Sequence, residues 1–306
     1  MVNMNNNFQE LYNYAESINC YAALGEQMSL HTSFKTGGPC GVRLSPKDTE
    51  QIILIINKAK ELDTPFVILG NGTNVLVPDE GIEKAVIIIG DKMSSIELED
   101  ENTISFTAGV NLVSLCRFAL ENNLSGLEFA FGIPGTLGGA VYMNAGAYGG
   151  EMKDVLTEIT HLTPDMKIET IPAKDADLSY RHSVYKNNSC IILGGKVKLK
   201  PDTHKNIKAR MDDFLGRRKD KQPLEYPSAG STFKRPEGYF AGALIEQCNL
   251  KGKSVGGAQV SEKHAGFVIN KGGATSTDIL NLIDFIGETV KNETGVTLEP
   301  EVIVLR

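Results

Sequence analysis

The sequence predicts an α+β fold organised in two or three lobes. The chain has 306 residues, which exceeds the size of about 250–300 residues at which a single hydrophobic core usually stops growing. Its 41% hydrophobic and 23% charged residues are typical of a soluble globular protein. Helix and strand patterns occur in three successive blocks, which favours separate α+β units.

Composition and charge argue against several classes of partner. The net charge of −7 disfavours a general nucleic-acid or anionic-membrane surface. The longest aliphatic runs, Ile52–Ile56 and Ala85–Ile89, have five residues, and the N-terminal segment has no signal-peptide pattern. A bilayer span needs about 20 apolar residues. Five scattered cysteines without a CxxC pair, and five histidines without ligand spacing, predict a reducing cytoplasm and no metal site.

The first block, to Ile89, is predicted to be a small α+β unit. One or two helices are expected up to about Glu26, and a further helix begins at Asp48–Glu50, where the residue types suit a helix start. Buried strands are expected at three apolar runs: Pro65–Leu69, Val75–Val77 and Ala85–Ile89.

The second block, from Ser94 to Leu199, is predicted to be mainly strand. One helix is expected near Val113–Asn122. The strands are expected at Ile96–Leu98, Ile104–Ala108, Lys153–Pro164, Lys167–Pro172 and Cys190–Leu199. Pro164–Met166 reads as the turn of a hairpin between the third and fourth of these strands.

The third block begins with a helix at Thr203–Arg218 and continues as a second α+β lobe. The clearest helix of the chain is Ser276–Thr294, with Ser276 or Thr277 as its cap and Gly295 as its stop. The other expected elements are a strand or turn at Pro227–Pro236, a short helix at Tyr239–Cys248, and strands at Gln259–Asn270 and Val296–Leu305.

The most unusual stretch is Gly126–Glu151. Eight glycines fall between Gly126 and Gly150, and no charged residue occurs from Phe129 to Gly150. Glycine is costly in chain entropy, so such a cluster indicates backbone at positive φ or backbone pressed against another group. One interpretation is a set of tight turns in an apolar core. The other is a segment wrapped around a large flat cofactor, with bare N–H groups facing its phosphate or ring oxygens.

A second glycine loop, Gly70–Asn74, follows a predicted buried strand. It lacks the complete GxGxxG pattern and the helix of a dinucleotide fingerprint, and the chain has no GxxxxGK[ST] motif. A plain hairpin turn and a pyrophosphate-binding loop both remain open from the residues alone.

Two clusters of cationic residues have two interpretations each. Arg181 lies among aromatic and small residues, as either a stacked surface arginine or a fixed cation for a carboxylate. A basic cluster lies at the end of a predicted helix and consists of Arg217, Arg218, Lys219 and Lys221. They are either cations that suit the helix C-terminus or a phosphate-binding patch.

Seven motifs, taken together and in order, resemble the UDP-N-acetylenolpyruvoylglucosamine reductase (MurB) family. They span about Thr32 to Val302, so only the N-terminal helix lies outside the resemblance. The motifs are TGGP at Thr36–Pro39, GNGTN at Gly70–Asn74, GIPGTLGGA at Gly132–Ala140, MNAGAYG at Met143–Gly149, SYR at Ser179–Arg181, AGSTFKRP at Ala229–Pro236 and LEPEV at Leu298–Val302.

The resemblance implies an FAD-binding domain of the PCMH or vanillyl-alcohol-oxidase type, with subdomains at residues 1–88 and 89–207, and a substrate-binding α+β domain at 208–306. It implies FAD, NADPH as hydride donor, a UDP-sugar substrate in peptidoglycan synthesis and a cytoplasmic location. We expect a monomer. The implied cofactor-binding residues are Gly70, Asn71, Gly72, Thr73, Asn74, Ile133, Pro134, Gly135, Thr136, Gly138, Gly139, Ala140 and Asn144.

Matched position by position, Arg181, Ser231 and Glu301 are the implied catalytic residues. Tyr180, Arg218 and Lys221 are the implied substrate-binding residues. The residues suit the chemistry, because Arg181 would stabilise an enolate, Ser231 would protonate it, and a protonated Glu301 would hydrogen-bond the substrate acid group. The plainer alternatives are a turn hydroxyl for Ser231 and an exposed strand carboxylate for Glu301.

The chain departs from part of the family in length. Arg181 and Ser231 are 50 positions apart (231 − 181), too few for the tyrosine-bearing loop that one branch of the family uses, and Arg235 stands where some members have asparagine. Two other functions stay open: another FAD oxidoreductase acting on a small alcohol or acid, and a cofactor-free nucleotide-sugar binding protein.

Overall fold

The computed structural model describes residues 6–305. Its seven α-helices are α1 (Asn6–Ser17), α2 (Thr49–Glu61), α3 (Leu112–Glu121), α4 (Leu137–Tyr142), α5 (His204–Lys221), α6 (Ala241–Gln247) and α7 (Ser276–Thr294). Within the described range, no helix combines the length and the apolar character needed to cross a membrane.

The first eight strands are β1 (Tyr21–Leu24), β2 (Cys40–Ser45), β3 (Phe66–Leu69), β4 (Val75–Leu76), β5 (Ile82–Ile88), β6 (Ile96–Leu98), β7 (Thr103–Thr107) and β8 (Leu124–Ser125). The other strands are β9 (Gly146–Ala147), β10 (Gly150–Glu151), β11 (Leu156–Leu162), β12 (Ile168–Pro172), β13 (Ile191–Lys198), β14 (Lys200–Pro201), β15 (Ser254–Val255), β16 (Ala258–Val260), β17 (Val268–Asn270) and β18 (Ile303–Val304).

The first sheet has the strand order β1-β2-β5-β3, with β2 and β3 both parallel to β5. Helix α2 begins after Asp48, whose side chain accepts a hydrogen bond from Gln51 N (2.8 Å). The helix buries Ile52, Ile55 and Ile56 in the largest hydrophobic core, which also contains residues of this sheet. The helix start at Asp48 and the strands expected at Pro65–Leu69 and Ala85–Ile89 are therefore confirmed.

The second sheet is antiparallel with the order β12-β11-β13-β7-β6. The hairpin expected around Pro164–Met166 joins β11 to β12, and the helix expected near Val113–Asn122 is α3. This sheet and the first one share the largest hydrophobic core, which holds Val42 and Ile87 from one and Ile104 and Ile159 from the other.

The C-terminal lobe has its own core around α6, α7 and the small sheet β15-β16-β17. Helix α7 is capped by Thr275, which accepts from Asp278 N while Asp278 accepts from Thr275 N, and it ends at Gly295 with φ of 76°. The helix and its glycine stop are confirmed, but the expected caps, Ser276 and Thr277, lie one and two residues after the observed cap. Thr275 is the cap because its extended backbone directs its hydroxyl at the free N–H groups of the first turn.

Four expected elements differ in the structure. The segment before Glu26 contains strand β1 as well as α1, because Tyr21–Leu24 pairs with β2. Gln259–Asn270 is a hairpin of two short strands, and the segment Val296–Leu305 forms strand only at β18. Pro227–Pro236 forms no strand, which leaves its side chains free to line a groove.

Helix α5 packs with the residues that precede it. Ile207 and Met211 lie in the largest core, and Arg210 bridges Glu128 (2.7 Å) and Asp202 (2.6 Å). The three-part division of the chain at residues 88 and 207 remains a prediction.

Replacing Asp79 should lower the stability of the contact between the first block and the C-terminal lobe. Its carboxylate accepts hydrogen bonds from Ser276 N (2.7 Å) and Thr277 N (2.9 Å), two of the unpaired N–H groups of α7. We expect Asp79→Ala to cost about 1 kcal/mol and to lower the melting temperature by about 2–4 °C. Glu80→Ala at the neighbouring exposed carboxylate is the control, and an equal shift in both variants would contradict the capping role.

Candidate active site

The two glycine loops meet face to face. A Cβ on Gly70 would lie 2.1 Å from Thr136 Oγ1, and a Cβ on Gly135 would lie 3.1 Å from Thr73 Oγ1. A side chain at Gly70 would therefore collide with Thr136, so the residue types follow from the close approach of two loops that are far apart in sequence.

The Gly70–Asn74 loop presents a row of unused donors. Across residues 6–305, the backbone N–H groups of Asn71, Gly72, Thr73 and Asn74 have no hydrogen-bond acceptor. Gly72 turns the loop with φ of 61°, and a Cβ there would lie 1.9 Å from His31 O. Consecutive free N–H groups in a tight turn form a concave anion-binding surface. The geometry thus favours the phosphate-loop interpretation over a plain hairpin.

The second loop runs into α4. Thr136 caps this short helix, and its hydroxyl accepts from Gly139 N (3.4 Å). Two further backbone N–H groups donate within the protein: Gly138 N to Ala108 O (2.9 Å) and Ala140 N to Thr136 O (2.9 Å). Gly138 is needed for packing, because a Cβ there would lie 3.0 Å from that of Ala108. Ile133 and Pro134 lie in the turn before the helix.

Arg181 and Glu301 form an ion pair across the boundary between the blocks. Arg181 Nε donates to Glu301 Oε1 at 2.5 Å, and the two side chains are 20% and 11% exposed. The Glu301 backbone is fixed on both sides, because its N–H donates to Thr232 O (2.8 Å) and its C=O accepts from Asn74 Nδ2 (3.1 Å). The Gly70–Asn74 loop thus holds the segment that carries Glu301, a link that the sequence did not reveal.

Burial and a neighbouring cation act in opposite directions on the Glu301 carboxyl. Burial raises the pKa of Glu301 and outweighs the Arg181 guanidinium, which lowers it. Its Oε2 is buried and has no hydrogen-bond partner in the described part of the chain. A carboxylic acid with one free oxygen in a desolvated position can donate to a ligand oxygen. Glu301 is therefore not the exposed carboxylate of the plainer alternative, whereas Glu299, two residues earlier, is exposed and pairs with Lys234.

Ser231 lies in a groove of about 370 Å³, and the next residue, Thr232, accepts the hydrogen bond from Glu301 N. Its Oγ donates to Phe233 O (3.2 Å), and Tyr180 borders the same groove. The residues that line the groove are Tyr180, Ser231, Phe233, Arg235, Phe240, Ala241, Gly242, Ala243, Glu246, Lys263, His264 and Ala265.

Two groove residues were missed by the sequence reasoning. Lys263 donates to Lys219 O (2.7 Å) at the end of α5, and burial lowers the pKa of His264. Gly266 N donates to His264 Nδ1 (3.1 Å), which leaves the proton of the neutral ring on Nε2. Neither residue belongs to a cluster or spacing that would have marked it, so no sequence signal pointed to them.

The aromatic neighbours of Arg181 have different positions. The Arg181 guanidinium lies 5.2 Å from the centre of the Tyr180 ring, and Tyr180 Oη accepts from Arg235 N (3.1 Å). Tyr185, four residues after Arg181, is buried and hydrogen-bonds His161 Nδ1 (3.0 Å).

The basic cluster at the end of α5 divides in two. Arg218 is 8% exposed and packs against Gly132, where a Cβ would lie 3.3 Å from Arg218 Cδ. Burial lowers the pKa of Arg218, and its Nε has no hydrogen-bond partner within residues 6–305. Lys221 is exposed at the last residue of the helix. The structure places Arg218 beside the second glycine loop and Lys221 at the surface.

The Asn144 side chain is committed to contacts within the protein. Asn144 is 0% exposed, and its amide donates to Glu151 Oε2 (2.8 Å) and Ser179 O (3.0 Å). Its Oδ1 accepts from Lys153 N (2.9 Å). Both amide hydrogens are used, so a ligand contact by this side chain remains a prediction. No group of three or more His, Cys, Asp or Glu residues that could hold a metal occurs in the described range.

Comparisons with known proteins find matches for both the N-terminal and the C-terminal part of the chain. Residues 222–305 match the sequence model of the UDP-N-acetylenolpyruvoylglucosamine reductase C-terminal domain, and residues 41–171 match that of an FAD binding domain. A UDP-N-acetylenolpyruvoylglucosamine reductase from Agathobacter rectalis is 50% identical over 288 residues, covering 90% of this chain and 91% of the relative.

Further relatives have the same name. One from Clostridium perfringens is 46% identical over 278 residues, covering 91% of each chain. The crystal structure of UDP-N-acetylenolpyruvylglucosamine reductase (MurB) from Thermus caldophilus superposes with a TM-score of 0.80 at 32% identity, covering 94% of this chain and 99% of that one. These matches confirm the α+β fold class with an FAD binding domain and a separate C-terminal domain. The chain therefore belongs to the UDP-N-acetylenolpyruvoylglucosamine reductase (MurB) family.

Proposed function

We propose that this chain uses NADPH and FAD to reduce the enolpyruvyl group of UDP-N-acetylenolpyruvoylglucosamine to UDP-N-acetylmuramate, a step of peptidoglycan synthesis in the cytoplasm. The observation that carries the proposal is the half-buried Arg181–Glu301 pair, with its free carboxyl oxygen. The pair is attached to the Ser231 groove through its chain neighbours, because Tyr180 lines the groove and Glu301 N donates to Thr232 O. A guanidinium beside a carboxyl group that can carry a proton can bind a substrate carboxylate, and both groups can donate hydrogen bonds to the negative charge that forms on it during the reaction.

The residues present fit FAD. The free N–H groups of residues 71–74 suit its pyrophosphate, and the close contact of Gly70 with Thr136 leaves only backbone and small groups toward a ligand. Ile133, Pro134, Gly135 and Thr136 would complete the holding surface. Bound there, FAD would supply the hydride chemistry, from NADPH to the methylene carbon of the enolpyruvyl group.

Arg181 is the residue that stabilises the developing charge. Addition of hydride at the methylene carbon places negative charge on the adjacent carbon, delocalised into the substrate carboxylate. The Arg181 guanidinium is held in place by Glu301 (2.5 Å) and Gly146 O (3.4 Å), so it meets that charge without reorganising. A fixed cation of this kind stabilises the transition state more than the ground state.

Ser231 completes the reaction as proton donor. The carbon of the enolate takes the Oγ proton, a C–H bond forms as the O–H bond breaks, and solvent returns a proton to the serine oxygen. Serine is a weak acid, but the carbanion is strongly basic. Lys263 and Arg235 line the same groove and are the cations available to stabilise the transient alkoxide.

The groove suits the UDP part of the substrate. Arg235 and Lys263 bring positive charge to its wall, and the exposed Phe240 ring carries the Arg235 guanidinium at 4.4 Å from its centre. Cations and an aromatic face are the groups that bind diphosphate and a base. Arg218 and Lys221 remain the proposed further phosphate contacts.

Replacing Glu301 with glutamine should slow only the half-reaction with substrate. We expect Glu301→Gln to lower flavin reoxidation by the enolpyruvyl substrate about 100-fold, as for loss of a general acid or donor, with flavin reduction by NADPH nearly unchanged. Equal losses in both half-reactions would remove the assigned role. Glu299→Gln, at the exposed carboxyl two residues away, is the matched control.

The same residue predicts a pH dependence with a defined sign. Because burial raises the pKa of Glu301, the protonated form persists above the usual range for glutamate. Activity that needs this form is full below the raised pKa and falls as the pH increases through it. The rate of flavin reoxidation should therefore decrease on the alkaline side in the wild type, and Glu301→Gln should flatten that limb.

The first experiment on function is a spectrum of the purified protein followed by anaerobic addition of NADPH. A bound flavin that NADPH bleaches supports a flavin reductase, whereas a colourless protein that still binds the UDP-sugar would support a cofactor-free binding protein. Oxidation of a small alcohol or acid by the flavin, without response to the UDP-sugar, would support the other flavoprotein function.

A further inference from the structure

We infer that Asn144 is a positioning residue for Arg181: its buried amide holds the turn that directs the guanidinium toward Glu301 and the substrate. The inference rests on the proposed function, because Arg181 acts on substrate only there. Part of the glycine-rich segment then has the role of positioning Arg181.

Asn144 is a rigid connection between two segments. Its side chain joins Ser179 O (3.0 Å), Glu151 Oε2 (2.8 Å) and Lys153 N (2.9 Å), and the residue is fully buried. Its own backbone has φ of 42°, a conformation that asparagine tolerates better than most residues. Three hydrogen bonds from a buried amide leave it one orientation.

The turn that Asn144 holds carries Arg181 in a strained conformation. Ser179 and His182 exchange backbone hydrogen bonds of 3.2 and 3.0 Å, and Arg181 between them has φ of 54°. A non-glycine residue keeps a left-handed conformation only where its surroundings maintain it. Asn144 bonds the first residue of this turn, and Ser183 Oγ, just after the turn, donates to Tyr142 O (2.7 Å). Both ends are therefore attached to one segment.

The guanidinium meets the same segment. Arg181 Nη2 donates to Gly146 O (3.4 Å), and Gly146 pairs with Glu151 in the β9–β10 hairpin. The hairpin packs too closely for a side chain at either glycine, since a Cβ on Gly146 would lie 2.7 Å from Gly150 O and one on Gly150 would lie 2.6 Å from the Phe129 ring. Asn144 and Glu151 thus fix the backbone and the side chain of Arg181 together.

The test is Asn144→Ala, measured in each half-reaction. We expect flavin reoxidation by the enolpyruvyl substrate to fall about 100-fold, the loss that follows a misplacement of about 1 Å. Flavin reduction by NADPH should fall much less than flavin reoxidation. The FAD content of the purified protein is measured as a separate readout, because Asn144 is also a predicted cofactor-binding residue. Asn122→Ala is the control: its amide also bonds a backbone oxygen, Phe118 O (2.8 Å), but on α3. If Asn144→Ala does not fold, Asn144→Asp keeps the acceptor for Lys153 N and loses both donors.

A double-mutant cycle separates positioning from general destabilisation. Asn144→Ala in the Arg181→Lys background should add little to the loss caused by Arg181→Lys alone, because the two residues act through one guanidinium. Multiplicative losses, loss of FAD, or an effect no larger than that of Asn122→Ala would each overturn the inference. If Arg181→Lys alone leaves reoxidation at the wild-type rate, the proposed role of Arg181 fails, which is a different result.

Discussion

Ser231→Ala should nearly abolish turnover while leaving the cofactor chemistry intact. The variant removes the only proton that the proposed mechanism delivers to the enolate carbon, and loss of a general acid lowers a rate by about 100- to 10,000-fold. We expect the upper part of this range for flavin reoxidation by substrate, because a carbanion intermediate that is not protonated reverts by returning its hydride. Flavin reduction by NADPH should be unchanged.

Ser228→Ala is the matched control for this prediction. Ser228 lies three residues earlier in the same irregular segment and does not line the groove. Stopped-flow measurement of each half-reaction gives the answer directly. Full turnover by Ser231→Ala would show that another group, or water, protonates the substrate.

Arg181→Ala should cause the second largest loss, in both affinity and rate. The substrate carboxylate loses its planar partner, and the charge that forms during hydride addition loses its stabilising cation. Removal of one such electrostatic contact costs about 100- to 1,000-fold in rate. Glu301 also loses the cation that opposes its burial, so its pKa should rise further.

The readout is the dependence of flavin reoxidation on substrate concentration. A higher KM together with a lower limiting rate is the expected result, and a change in KM alone would limit Arg181 to ground-state binding. Arg217→Ala is the control, because that arginine pairs with Asp213 on the exposed face of α5 (2.8 Å) and does not contact the site.

Most of the fold could be predicted because its signals are local. The Asp48 cap, the apolar run before Gly70 and the Gly295 stop each act within one turn or strand. The errors lie where tertiary contacts decide. Tyr21–Leu24 has little strand character of its own and pairs only because β2 lies beside it.

The candidate site could be predicted only in part. Arg181 and Glu301 are 120 positions apart, and no periodicity joins them, so the resemblance of motifs was the signal that named both. Residues that act through a fold-dependent contact carried no signal in the sequence. The bond from Asn74 to the Glu301 carbonyl, and the places of Lys263 and His264 in the groove, arise from how the lobes meet.

The central claim is that one site reduces an enolpyruvyl UDP-sugar with hydride that came from NADPH. The most direct test is an anaerobic single turnover: the enzyme is bleached with one equivalent of NADPH and then mixed with UDP-N-acetylenolpyruvoylglucosamine. The account predicts that the flavin colour returns at once, with one UDP-N-acetylmuramate formed for each flavin reoxidised. A reduced flavin that persists after the substrate is added, and returns to colour only with oxygen, would contradict it.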